Sequence, residues 1–333
     1  MFKTNSNDES FVHLASYLIN SFGHYKVWSY NNTCQSSVEV ASLASLFLLT
    51  CKYKIYTNRK IFKVAMISEI DSIIEKTTDF FIDNQHGDGG WSITNNTIHS
   101  DWSTSRACLF LRYFSELAKT NDYLINKSIS KAIYFLAASR YEKLYPTSAL
   151  RLLLLIGSGE SSLRYGRGWP WDLNCYHWIE PTTYNLLALQ LPKNNLNGYF
   201  HKIIKQANRY ILDNSCYDGG WNFGNSEVLN TKLRSITSVT GEVLLALQKL
   251  DYHPKVKLAL NYFFDNVNED STVTEIALAQ IINDIYKHNQ KNWVSLLTTK
   301  QNTDGSFGLN NYVASLCGLS LLSTLGCNVF KMG

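Results

Sequence analysis

The densest group of chemically capable side chains runs from Arg164 to Tyr184. It holds three of the eight tryptophans (Trp169, Trp171 and Trp178), together with His177, two acids (Asp172 and Glu180) and two arginines (Arg164 and Arg167). A carboxyl among aromatic faces suits carbocation chemistry. That chemistry needs an acid kept protonated by a dry site, π faces for the passing cation, and exclusion of water. Glu180, beside Trp171, Trp178 and Tyr184, supplies the first two, and His177 is near enough in sequence to hydrogen-bond the acid. A helix start next to Pro181 favours the ionised carboxyl, so burial has to outweigh the helix dipole. The plainer role for Glu180 is to cap that helix.

Two further acids precede helix starts. Asp101 stands before Trp102-Ser103-Thr104, and Asp270 before Ser271-Thr272. Asp101 is also an ordinary N-cap with Trp102 packed inward, and Asp270 also fits a solvated turn. Arg164 and Arg167 suit a diphosphate or another anion at a rim, or simply a solvated loop. Trp102, Trp169, Trp171, His177, Trp178 and Tyr184 are the candidate substrate-binding wall.

What positions these groups is an internal repeat. Phe80 to Trp91 aligns with Tyr210 to Trp221, sharing an Asp-Asn pair and Asp-Gly-Gly-Trp, and Gln301-Asn302-Thr303-Asp304-Gly305-Ser306-Phe307-Gly308 is a third copy. The spacings correspond to about three and two periods of roughly 43 residues, a helical-hairpin length. In each unit a helix ends, Asp-Gly-Gly turns at positive φ, an aromatic packs back, and a Ser or Thr caps a strongly apolar helix. The apolar helices are expected near 37–49, 103–111, 147–156, 182–189, 237–250, 272–282 and 313–322. The amphipathic ones are expected near 67–84, 124–140, 198–213, 254–266 and 290–300. The alternation predicts an all-α fold of two concentric layers: an α/α toroid of about six to seven helical hairpins, in one domain over 1–333 with 1–10 flexible. An open solenoid would need polar capping repeats.

Composition narrows the function. The 333 residues are 45% hydrophobic and 13% aromatic with a formal charge of +4. Basic residues are scattered, which argues against a nucleic-acid partner. Seven dispersed cysteines without a Cys-x-x-Cys fit reduced thiols in a cytoplasmic protein. No apolar run of about 18 residues is present, so no membrane span is expected. Peripheral membrane contact stays open.

The Gln-x-x-Asp-Gly-[Gly/Ser]-[Trp/Phe] turns resemble the QW motifs of the squalene cyclase and prenyltransferase superfamily, over about 36–325. The segment Asn311 to Ser320 resembles one that begins with a zinc-binding His in prenyltransferase β-subunits. Here that position is Asn311, and Asp172, Cys175 and His177 lack that family's spacing, so no metal is expected. The class II terpene cyclases carry Asp-x-Asp-Asp before a Thr at an inner helix start, a motif absent from this chain. By that alignment Glu180 and Asp270 take the place of the middle Asp, and Asp101 lies one residue earlier. The class I motif Asp-Asp-x-x-Asp is absent too, so no cofactor is implied beyond magnesium if the substrate is a diphosphate. The resemblance implies a small class II-like terpene cyclase that protonates a hydrophobic isoprenoid. The alternatives are a toroid that binds a lipid or protein without catalysis, and an α/α-barrel carbohydrate enzyme with paired carboxylates.

Overall fold

The computed structural model describes residues 6–23, 27–31, 35–56, 62–94, 97–140, 167–173, 175–192, 198–288 and 291–332. Twelve α-helices appear among them: α1 Ser6–Asn20, α2 Val38–Thr50, α3 Val64–Asp83, α4 Thr104–Ala118, α5 Tyr123–Ala138, α6 Ile179–Gln190, α7 Gly198–Asp213, α8 Thr237–Ala246, α9 Pro254–Asn266, α10 Val273–Tyr286, α11 Trp293–Thr299 and α12 Asn311–Thr324. Two short hairpins interrupt them. β1 Trp169–Pro170 pairs antiparallel with β2 His177–Trp178, and β3 Glu227–Val228 with β4 Thr231–Lys232.

The even-numbered helices form the inner layer. Each packs on the next, and α12 packs on α2 to close the ring. Helix α4 meets α6 directly, so six inner helices close the ring among the described residues. The expected helix at 147–156 lies outside them. Every residue of α2 is buried, and α6 buries all but Glu180. Such nearly all-apolar helices are stable only when covered on most faces. The odd-numbered helices lie outside and show one apolar stripe each. α1 was not anticipated, because polar residues open it; yet Phe11, Leu14, Ala15 and Leu18 are buried at helical spacing.

The aromatic turns act as clasps between the layers. The indole Nε1 of Trp91 donates to the Phe81 carbonyl at 2.8 Å, and that of Trp221 to Ile211 at 2.7 Å. Trp28 does the same to Leu18 at 2.8 Å, and Trp169 to Leu136 at 2.6 Å. Each thus satisfies an orphan carbonyl at the end of an outer helix. The hydroxyls of Thr104, Thr182 and Thr240 accept from the backbone N–H of Trp91, Trp169 and Trp221 at 2.8, 2.9 and 3.0 Å, joining each clasp to an inner helix. Trp28 and Trp169 are therefore further copies of the repeat, in which Asp-Gly-Gly is lost before Trp28 and only the second glycine, Gly168, is kept before Trp169.

The third copy closes the circle. The amide of Gln301 donates to the Gly305 carbonyl at 3.0 Å and to the Ser10 carbonyl of α1 at 2.9 Å. Gly305 has φ of 90°, and a Cβ there would run into the His13 carbonyl. Backbone cannot swing aside as a side chain does, so Gly305→Ala should cost roughly 2–4 kcal/mol. Urea unfolding of the variant checks this, and an unchanged midpoint would refute it.

Arg112 ties two inner helices together. Its guanidinium donates to the carbonyls of Ala188 and, at 2.9 Å, of Pro192 at the end of α6. Arg112→Met leaves both carbonyls unpaired and should cost about 2–4 kcal/mol. A thermal melt within a degree of the wild type would rule this out.

Candidate functional site

The N-terminal ends of the inner helices converge on the ring axis. The first turn of α2 brings Glu39, that of α4 brings Arg106, that of α6 brings Glu180, and that of α12 brings Tyr312. Tyr184 and Glu242 come from the second turns of α6 and α8. Tyr30, on the linker before α2, completes the group. Charged residues in helices this apolar are costly unless paired.

The pairing is partial. Glu39 is 5% exposed; it lies 3.4 Å from Arg106 Nε and accepts from the Tyr30 hydroxyl at 2.5 Å. The Arg106 guanidinium lies 3.9 Å over the Tyr184 ring, a cation–π contact. The Tyr184 hydroxyl donates to Glu242 at 2.8 Å. Glu180, one turn before Tyr184 on the same face of α6, has no hydrogen bond to its carboxyl among the described residues.

Three carboxyls therefore share one guanidinium. Burial pushes Glu180 up to about 8, helped by the charges of Glu242 and Glu39 and opposed by Arg106. Burial pushes Glu242 up to about 7 against the pull of Arg106 and the Tyr184 hydrogen bond. Burial also raises Glu39, with Arg106 and Tyr30 opposing. Burial lowers Arg106, but Glu39, Tyr184, Tyr312 and Glu242 together outweigh it, so the guanidinium stays charged. Arg106 is the common counter-charge of the three acids, and Glu180 and Glu242 hold their protons into the neutral range. The helix dipoles oppose this but do not overcome desolvation.

Arg106, Tyr184, Glu242 and Tyr312 form the polar end of an internal cavity. Its other end is apolar, made by leucines of the inner helices and Phe330. As it stands the space suits about one water molecule.

The residues singled out from sequence separate into groups. Trp102, Trp171 and Tyr184 meet as an aromatic triad, with ring centroids 5.0 Å apart for Trp102–Trp171, 5.4 Å for Trp102–Tyr184 and 6.2 Å for Trp171–Tyr184. Asp101 accepts from the Ile93 and Ser103 N–H groups, both at 2.8 Å, which is a loop-holding role. It shares a cleft with Trp102, Trp169, Trp171 and Asn185. Trp169 serves as a clasp. His177 does not reach for Glu180; its Nε2 lies 3.1 Å from the Arg140 carbonyl and its ring meets Tyr210 edge-on. Trp178 is 37% exposed and rests against Gly224. Arg167 pairs with Asp213 at 3.7 Å. Asp270 lies in an exposed turn away from the ring axis, its N–H bound to the Asn268 side chain at 2.8 Å. Arg164 lies outside the described residues. No group of three His, Cys, Asp or Glu among the described residues is placed to hold a metal ion.

Sequence reasoning missed Glu39, Glu242, Arg106, Tyr30 and Tyr312. The available signal was a charge in an otherwise apolar inner helix: Glu39 in Val-Glu-Val-Ala, Arg106 in Ser-Arg-Ala-Cys, and Glu242 in Gly-Glu-Val-Leu.

No protein-family model matches the chain, and no curated protein matches it in sequence. Solved structures match its fold. Type II terpene cyclase MstE from Scytonema superposes with a TM-score of 0.60 at 11% identity, over 97% of this chain and 100% of the other. A variant of that enzyme, solved with geranylgeranyl dihydroxybenzoate as substrate, gives 0.59 at 12% identity, over 96% and 98%. An inactive variant of α-1,6-mannanase GH76A of Salegentibacter sp. HEL1_6, in complex with α-1,6-mannotetrose, gives 0.59 at 9% identity, over 98% and 99%. The chain thus has an α/α toroid fold like that of the class II terpene cyclases. No helix among the described residues is long and apolar enough to cross a membrane.

Proposed function

We propose that the chain is an acid-initiated isoprenoid cyclase whose proton is held by the Glu180–Glu242 pair. The observation that supports this most is chemical. Glu242 lines the polar end of an apolar lumen and Glu180 lies near it, both with a raised affinity for protons and with Arg106, already 3.4 Å from Glu39, as the cation acting on them. Glu242 lines the lumen and is the donor. Glu180, half-buried at the same end, exchanges protons with solvent and resupplies it.

In the first step the Glu242 O–H bond breaks and its proton forms a C–H bond on a terminal alkene. The neighbouring carbon becomes a cation, which the chain's other double bonds attack to close rings. Tyr184 and Tyr312 offer ring faces and the Glu242 carboxylate an opposite charge. Loss of a proton to a carboxylate, or capture of water, ends the reaction. Asp101 and the Trp102–Trp171 wall position the entrance.

The test is to incubate purified protein, with and without magnesium, with farnesyl diphosphate, geranylgeranyl diphosphate and squalene, and to analyse extracts by gas chromatography–mass spectrometry. A cyclised product supports the reading. Absence of product from every isoprenoid, with oligosaccharide release from an α-mannan, would replace it with the carbohydrate reading. The apolar floor of the lumen weighs against a sugar there.

A further inference from the structure

The segment after α12 crosses the far end of the inner ring. Asn328 donates to the Ile281 carbonyl at 3.2 Å and to Asp284 at 3.1 Å. The Tyr113 hydroxyl donates to the Val329 carbonyl, and the Gln248 amide to the Phe330 carbonyl at 2.5 Å. The Met332 N–H returns to Gln248 at 2.9 Å, and Lys331 lies 3.7 Å from Asp284. These partners belong to α4, to the turn after α8 and to α10. The strap is therefore stitched across three inner helices at their C-terminal ends. It turns Val329 and Phe330 inward, 6% and 2% exposed.

Phe330 does more than fill the core. It lines the same cavity as Arg106 and Glu242, facing them across a single layer of leucines: Leu43, Leu187, Leu245, Leu278 and Leu316. Those leucines sit about one to two turns below the helix starts, so the polar end and the floor are separated by roughly 5–10 Å at 1.5 Å per residue. Helices α4, α10 and α12 continue beyond this level for another one to two turns. A smaller side chain at 330 would extend the cavity toward the C-terminal ends of these helices by the volume of the ring.

We propose that Phe330 is the specificity-determining floor of this lumen and sets the length of apolar chain it accepts, the chain lying with one end at Arg106 and Glu242 and the other on the Phe330 ring. The inference rests on the lumen being an isoprenoid site, but not on turnover. A chain entering the lumen meets this ring at the far end, and the longest chain has to push it aside. Shortening the side chain removes that obstacle most for the longest chain.

The experiment titrates geraniol, farnesol and geranylgeraniol into the full chain by calorimetry, comparing wild type, Phe330→Ala, Phe330→Leu and Val329→Ala. Val329 is buried in the same strap but does not line the cavity, so it controls for general loosening. Phe330→Ala should raise the affinity for geranylgeraniol relative to geraniol by about tenfold or more, and Val329→Ala should leave that ratio unchanged. Phe330→Leu gives an intermediate shift and keeps the test valid if the alanine variant does not fold. Binding with an unchanged ratio in both Phe330 variants, or an equal shift in Val329→Ala, would overturn the floor role and leave the isoprenoid reading standing. No binding of any alcohol to any variant would overturn both. A ratio shift without cyclised product would support the floor and refute the cyclase.

Discussion

Glu242→Gln should lower kcat by about 10²–10⁴-fold while leaving the fold intact. Gln keeps the shape and can still accept the hydrogen bond that Tyr184 donates at 2.8 Å to the carboxyl. It has no acidic proton to give. Single-turnover rates on the isoprenoid found in the product assay provide the comparison. Glu180→Gln should slow the reaction less, because Glu180 resupplies the donor without touching the reacting carbon. An equal loss in both variants would mean the two acids act as one unit, and full activity in Glu242→Gln would remove it from the mechanism. The pH profile carries the same prediction. With Glu242 near 7, the acid form is present below about pH 7 and disappears above it, so the rate should fall on that limb. A rate that rises through this range would mean the essential group is a base.

Arg106→Gln should cost about 3–5 kcal/mol near neutral pH, because removing one partner leaves a buried charge uncompensated. Glu39 would lose its only cation within 4 Å among the described residues. All three glutamates would then take up protons more readily in the folded chain than in the unfolded one. A carboxyl whose folded pKa lies above its unfolded value of about 4.3 contributes most at low pH, and the contribution is lost as pH rises through the folded pKa. The variant should therefore recover most of its stability near about pH 5 and lose it by about pH 8. Urea unfolding at the two pH values measures this. The double variant Glu39→Gln/Arg106→Gln should cost less than Arg106→Gln alone at the higher pH. A pH-independent loss would assign Arg106 to packing against Tyr184 rather than to charge balance. The wild type should itself lose stability between about pH 5 and 8, since Glu180 and Glu242 hold protons there that the unfolded chain has released.

The local structure of this protein was legible in its sequence. Asp-Gly-Gly-Trp specifies a positive-φ turn and a returning indole, both properties of a few adjacent residues. Apolar runs after Ser and Thr caps specify buried helices, and their alternation with amphipathic ones specifies two layers. Glu180 could be singled out because aromatic residues adjoin it in the chain. The eroded clasps at Trp28 and Trp169 and the polar-fronted α1 were not legible, since their partners lie in carbonyls and stripes that no short motif announces. The composition of the site was a tertiary matter throughout. Glu39, Arg106, Glu180, Glu242 and Tyr312 come from five different helices and meet only because α12 closes on α2. Their shared protons depend on distance and burial, neither of which is a property of sequence neighbours. The same holds for the apolar end. Phe330 follows the last helix by several residues, and only the stitching of its backbone to Tyr113 and Gln248 brings the ring opposite Glu242. Sequence determined the repeating hairpin because hairpins are held by neighbours. The ring's closure decided the lumen and its acids because those depend on six helices pointing at one axis.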